Sequence, residues 1–199
     1  MLTDDDGYDS LKTVGVNITW TFTNTTEAFF ANKDAAAYFD LRVNANADYS
    51  RIAKPVFINS MVATLAENHH GSNIIRINAW PGFIEKDLWE LAGTISSEAE
   101  KVLQQLHKKY IAVADEPGFV SARIIAMIIN EAYFALDEEV SSKKDIDTAM
   151  KLGTNYPYGP FEWCDKIGVQ QVYQLLAKLS LTDERFLPSA GITAANTNI

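Results

Sequence analysis

The first half of the chain alternates short runs of β-branched and aromatic residues with short helical patterns. Residues 12–22, rich in Val, Ile, Thr, Trp and Phe, read as a strand, as do 36–43, 55–59, 74–78, 88–92 and 110–114. Asn24-Thr25-Thr26-Glu27 has the spacing of a capping box, which predicts a helix over 25–31 with Asn24 as its cap. Residues 48–53 and 61–68 read as two further short helices. The pattern over 96–107 is stronger. Ser96 can cap it, and Val102, Leu103 and Leu106 share one face. Strands alternating with helices through short connections predict a small, mostly parallel sheet covered by helices.

After Pro117 the strand patterns stop. Residues 118–139 form a helical pattern whose apolar positions run nearly all the way round: Phe119, Val120, Ile124, Ile125, Met127, Ile128, Ile129, Tyr133, Phe134 and Leu136. Such a helix is buried on most sides, and a second subunit can supply part of the cover. Ser142 caps the next helix, with Ile146, Ala149 and Met150 as its inner face and Gly153 as its end. Pro160 stands at a first helical position after Gly159, Gly168 stops that helix, and 169–179 is the last strong helix. The polar tail, 190–199, is expected to fray. The expected fold class is α/β then all-α, with an α/β domain over 1–114 and a helical domain over 115–199.

Composition narrows the partners. The 199 residues carry a net charge of −9, which disfavours nucleic acid or an anionic membrane surface as the main partner. With 47% hydrophobic residues the chain can bury a core without staples. Its one cysteine, Cys164, permits no internal disulfide, which fits a reducing compartment. Met1-Leu2-Thr3-Asp4-Asp5-Asp6 lacks the basic start and apolar stretch of a signal peptide, and no apolar run approaches the roughly 18 residues of a membrane span. The expected location is the cytoplasm.

Several stretches then add up. In order they are Pro117-Gly118-Phe119-Val120 with Arg123, Asn130-Glu131-Ala132, Asp145-Ile146-Asp147-Thr148-Ala149-Met150-Lys151-Leu152-Gly153, and Tyr156-Pro157-Tyr158-Gly159-Pro160-Phe161-Glu162. This series resembles the C-terminal domain of the NAD-dependent 3-hydroxyacyl-CoA dehydrogenases. Lys54-Pro55-Val56-Phe57-Ile58-Asn59-Ser60 is similar to the family strand that ends in a serine-rich turn. Residues 74–81 are similar to the strand carrying the catalytic histidine, and Leu88-Trp89-Glu90 to the segment carrying its partner glutamate.

The resemblance implies a reduced Rossmann-like domain that binds NAD. It also implies a helical domain that makes a homodimer and part of an acyl-CoA site, and an oxidoreductase role in fatty-acid or butanoate metabolism. Glu90 and Ser60 are the matching catalytic candidates, and Arg123 matches on the long helix. In such a reaction a base must take the proton of the 3-hydroxyl group, and a carboxylate on the far nitrogen of a histidine fixes its tautomer.

Four features depart from the family pattern. Gly15 stands alone in Val14-Gly15-Val16-Asn17, with no Gly-x-Gly-x-x-Gly. Alignment on Pro81 puts Ile77 where the histidine belongs, and Trp80 replaces an asparagine. Ala122 stands where the family has an asparagine. The basic, Gly-rich and aromatic C-terminal segment is absent. A missing base costs ~10²–10⁴ in rate, so a non-catalytic dimeric relative that binds an acyl-CoA or a protein partner is the alternative reading.

Each candidate also has a plainer reading. Glu90 is either the surviving half of a catalytic pair or a structural carboxylate. Ser60 is either a thioester contact or a helix cap. His69-His70 and His107 read as helix C-terminal residues, and no metal site is expected. Cys164 reads as a buried thiol. Asn130 and Glu131 need polar partners, which an interface can supply. Trp80 and Phe83 can line a pocket or fill a core.

Overall fold

The computed structural model describes residues 1–3 and 18–197, which form two compact units, Met1–Phe119 and Val120–Ile199. Residues 12–17 of the first expected strand, Gly15 among them, lie outside the described residues.

The first unit holds α1 (Thr26–Ala31), β1 (Tyr38–Asp40), β2 (Val56–Ile58), β3 (Ile74–Ile77), β4 (Leu88–Gly93), α2 (Ser97–Gln105) and β5 (Lys109–Ala112). The strands lie in the order β1-β2-β3-β4-β5, and all neighbours are parallel except β3 and β4. Side chains alternate between the two faces of a sheet, and both faces are apolar here. Phe39, Phe57, Ile75, Ile77, Trp89 and Leu91 form one core with Ala99, Leu103 and Leu106 from around α2. Tyr38, Val56, Ile58 and Ile74 form the other core with Phe29, Tyr49 and Ile52. Burial on both faces is why these strands read as continuous apolar runs.

Three local expectations are corrected. Thr25, rather than Asn24, caps α1, its hydroxyl accepting from the Ala28 amide. Residues 48–53 make turns, not a helix. The Ser50 amide donates to Asp48 and the Ile52 amide to the Tyr49 carbonyl, and Pro55 then forces Lys54 out of helical geometry. Residues 61–68 likewise make only a single turn. Thr64 and Glu67 each accept the other's amide, and His69, at φ 52°, ends the turn. A threonine bonding the backbone locally competes with helix propagation. None of the described residues of the first expected strand, 18–22, pairs in a ladder; Thr23, just after it, bridges Leu2, whose other side bridges Asp40.

The helical unit contains α3 (Ser121–Asp137), α4 (Lys143–Thr154), α5 (Pro160–Ile167), α6 (Val169–Ser180), a 3-10 turn (Glu184–Phe186) and α7 (Ala190–Thr197). α3 is central, touching α5, α6 and α7. Ser96 and Ser142 cap α2 and α4 as the sequence suggests. Gly153 does not end α4. The helix runs on to Thr154 and stops at Asn155, which takes the left-handed conformation. The inner face of α4 is not the apolar trio, since its buried residue is Asp147. Asp147 accepts the Phe161 amide at 2.8 Å and so satisfies the start of α5. A side chain at Gly159 would collide with that carboxylate.

The tail is not frayed over 190–197. Asp137 accepts the Gly191 amide at 2.8 Å, and Ile192 is fully buried. Asn130 finds its partners inside this unit. Its Oδ1 accepts from the Ser189 amide at 2.9 Å and its Nδ2 donates to the Leu187 carbonyl at 2.8 Å.

Candidate active site

The two sequence candidates, Ser60 and Glu90, lie on the sheet. Ser60 follows β2 and Glu90 is inside β4, and both are buried. Between them runs β3. Its pairing with β2 sets Ile58 beside Arg76, so continuing the parallel register by two residues brings Ser60 level with Asn78. Asn78 in turn donates from Nδ2 to Glu90 Oε2 at 3.3 Å. Its Oδ1 accepts from the Trp80 amide at 3.2 Å. Asn78 and Glu90 are therefore joined side chain to side chain, while Ser60, after β2, is engaged within its own turn.

The Ser60 hydroxyl donates to the Ala63 carbonyl at 2.9 Å, closing the turn after β2. It caps no helix. The Ser60 carbonyl accepts from Arg76 Nε at 2.8 Å. Arg76 is fully buried, stacks 4.5 Å from the Phe119 ring centroid, and donates from Nη1 to Asp115 at 2.6 Å and to the Glu116 carbonyl at 3.2 Å. Asp115 also accepts from the amides of Leu65 and Ala66. Residues 115–119 thus belong with the sheet, where the Gly118 amide donates to the Met61 carbonyl as well.

Alignment on Pro81 selects Ile77 for the histidine position, but Ile77 is buried in the apolar core beside α2. Asn78 is the residue that meets Glu90, and no motif selects it. The one sequence signal that finds it is parity, because antiparallel neighbours on one face pair in fixed register. Trp80 is buried, and Gly82 takes φ 84° in a turn closed by Glu85. Arg123 and Ala122 lie on α3, half-buried and buried respectively.

The remaining candidates carry no shared chemistry. His107 follows α2 with φ 54°. His69 and His70 follow a turn, not a helix, and burial lowers the His70 pKa. Among the described residues no group of three His, Cys, Asp or Glu side chains is placed to hold a metal ion. Burial pushes the Cys164 thiol up to about 11, with the Tyr133 hydroxyl 3.9 Å away.

A dinucleotide needs a pyrophosphate cradle, normally a glycine-rich strand end opening on a helix N-terminus. The carboxyl end of β1 offers the reverse charge. Asp40 is fully buried there, accepting from Arg42 Nη2 at 2.7 Å and the Tyr49 hydroxyl at 2.8 Å. That pairing raises the Arg42 pKa and engages its charge. The turn from β4 into α2 has one glycine, Gly93, at φ 117°, and it serves packing, since a Cβ there would stand 2.8 Å from the Ile74 carbonyl. The described residues do not fit a pyrophosphate.

Fold and site together define a Rossmann-like α/β sheet followed by a helical domain. The family described as "3-hydroxyacyl-CoA dehydrogenase, C-terminal domain" matches residues 118–191. The 3-hydroxyadipyl-CoA dehydrogenase of Escherichia coli strain K12 is 49% identical over 88 residues, which is 43% of this chain and 18% of that protein. A probable 3-hydroxybutyryl-CoA dehydrogenase of Bacillus subtilis is 37% identical over 87 residues, 43% of this chain and 30% of the relative. The chain thus spans under a third of either relative.

The crystal structure of E. coli 3-hydroxybutyryl-CoA dehydrogenase superposes with a TM-score of 0.61 at 32% identity, over 71% of this chain and 31% of that one. The (S)-3-hydroxybutyryl-CoA dehydrogenase of Ralstonia eutropha shares the fold, with a TM-score of 0.65 at 22% identity over 89% of this chain and 70% of that one. Residues 118–191 are therefore similar to the C-terminal domain of the 3-hydroxyacyl-CoA dehydrogenases.

Proposed function

We propose that the chain acts on the thioesters of its family, in the interconversion of 3-hydroxyacyl-CoA and 3-oxoacyl-CoA with NAD, in the cytoplasm. One observation carries this reading. Ser60 and Glu90 are both buried on the sheet, Glu90 hydrogen-bonded to Asn78, with residues that match the family's helical domain following in the same chain. The Glu90 carboxylate is an acceptor, suited to a substrate's 3-hydroxyl group. No helix among those residues is long and apolar enough to cross a membrane.

Asn78 favours a second reading, a dimeric relative that binds an acyl-CoA or a protein partner without turnover. An amide beside Glu90 cannot take a proton at neutral pH. Calorimetric titration with NADH and with acetoacetyl-CoA separates the two, combined with an absorbance assay of NADH oxidation. Binding of both ligands with turnover supports the first reading. Binding of the CoA ester alone supports the second. Binding of neither overturns both small-molecule readings.

A further inference from the structure

β5 is the outer strand of the sheet, with β4 as its one neighbour among the described strands. The Lys109 amide donates to the Asp87 carbonyl and the Val113 amide to the Leu91 carbonyl. Backbone groups alternate along a strand, so Lys109, Ile111 and Val113 bond toward β4, while Tyr110, Ala112 and Ala114 turn theirs outward. Ile111 and Ala112 are exposed, and so is Leu88, which shares the face of Ile111. An uncovered row of outward amides and carbonyls is a template for one more strand.

The residues along this edge select which strand fits. Lys109-Tyr110-Ile111-Ala112-Val113-Ala114-Asp115 is basic at its start, acidic at its end and uncharged between. A lysine on an edge ordinarily blocks pairing, and a parallel copy would set Lys109 beside its own equivalent. An antiparallel copy centred on Ala112 instead sets Lys109 opposite Asp115, Tyr110 opposite Ala114 and Ile111 opposite Val113. Moving the centre by one residue puts Val113 or Pro117 opposite Lys109 and forfeits the charge match. In the Ala112 register the outward groups of both strands meet, Ala112 with Ala112 of the second copy and Tyr110 with Ala114. Ile111 and Val113 form the close pair without hydrogen bonds between them. Asp115 is held by Arg76, yet its side chain keeps 27% exposure and stays open to Lys109 of the second copy.

We propose that the β5 edge pairs antiparallel with β5 of a second copy of the chain, centred on Ala112, joining two sheets into one. The contact uses no residue of α3 and does not depend on the dehydrogenase reading above. A strand pair of this length buries well under the roughly 1,200 Å² of a stable interface. It is therefore a weak contact, formed well above micromolar concentration.

The test is sedimentation equilibrium of the full chain carrying Ile124→Glu, from about 10 µM to about 1 mM. That substitution puts a charge on the exposed side of α3, so any association read here comes from elsewhere. A monomer at the lower end and a dimer at the upper end are expected. Hydrogen exchange of the Tyr110 and Ala112 amides is expected to slow at least tenfold over the same range. Adding Ala112→Pro removes an outward amide and spares the ladder to β4, and is expected to keep the chain monomeric. Adding Lys109→Glu instead sets like charges opposite each other and is expected to do the same. Should A112P fail to fold, K109E, a change at an exposed position, decides alone. A monomer at the upper end overturns the second copy as the strand's partner. A dimer that survives A112P overturns the edge contact, and one that survives K109E overturns the register.

Discussion

Arg76 on β3 and Asp115 beyond β5 are joined by a 2.6 Å ion pair with the guanidinium fully buried. The pair ties together three segments distant in sequence. Arg76 fixes the Ser60 turn, Asp115 caps the Thr64 turn through two amides, and Phe119 covers the guanidinium. Removing one partner strands a buried charge, which costs about 3–5 kcal/mol. Asp115→Ala is therefore expected to lower unfolding free energy by about 3 kcal/mol, measured by urea denaturation. Arg76→Met, which removes the charge and keeps an apolar stem, is expected to be milder. Equal losses in the two variants would mean that the ion pair is not what holds these segments.

Asp147 makes a prediction about pH. Burial is the main cause raising its carboxyl pKa above the ordinary 3.8. The folded chain then holds this proton more tightly than the unfolded one. Between the ordinary and the raised value the folded state binds more protons, so stability falls as pH rises through that window. Asparagine keeps an acceptor for the Phe161 amide and has no charge to desolvate. Asp147→Asn is expected to equal or exceed wild-type stability at pH 7, with the difference shrinking once both forms are measured at about pH 3.5. A variant that loses stability at pH 7 but not at the lower pH would show that the charge itself stabilises α5.

The long helix α3 leaves an apolar stripe in solvent. Val120 is 52% exposed, Ile124 50% and Phe134 37%. These positions recur at helical spacing on one side, and a second copy of the chain is the proposed cover. Light scattering at micromolar concentration is expected to give a dimer for the wild type. Ile124→Glu places a charge at the centre of the stripe and is expected to give a monomer with an unchanged helical circular dichroism spectrum. A monomeric wild type rules the proposed dimer out.

What the sequence made legible followed from burial. All five described strands fall within or close to the expected runs, and for β1 to β3 the reason is that a strand buried on both faces leaves a dense apolar signature. Ser96 and Ser142 were readable as caps because a hydroxyl before an amphipathic run has one strong use. Residues 48–53 and 61–68 misled because side chains that bond locally, Asp48 and Thr64, close turns before a helix can propagate. Position 78 escaped for a different reason. Counting back from Pro81 assumes a loop of constant length, whereas the sheet obeys parity, and a shift of one residue reverses the face. The Asp147 face of α4 was hidden because a buried carboxylate is the rare case, made possible by Gly159.

Asn130 gives the last prediction. Its polar group needs partners that an interface can supply, yet the residue is fully buried within its own unit and bonded at both ends of its amide. It holds the stretch between the 3-10 turn and α7, where Ser189 then caps α7 through the Ile192 amide at 3.2 Å. Asn130→Ala leaves the Ser189 amide and the Leu187 carbonyl without their partner, at about 1–3 kcal/mol for each buried group. Asn130→Asp keeps the acceptor for Ser189 but buries a charge and loses the donor to Leu187, so it is expected to be at least as damaging at pH 7. Hydrogen exchange locates the effect. Protection of the Ile192 and Thr193 amides is expected to fall in Asn130→Ala by more than that of the α6 amides, because the anchor of α7 opens first. Uniform loss across both helices would show that Asn130 stabilises the unit globally and does not fasten its C-terminal helix in particular.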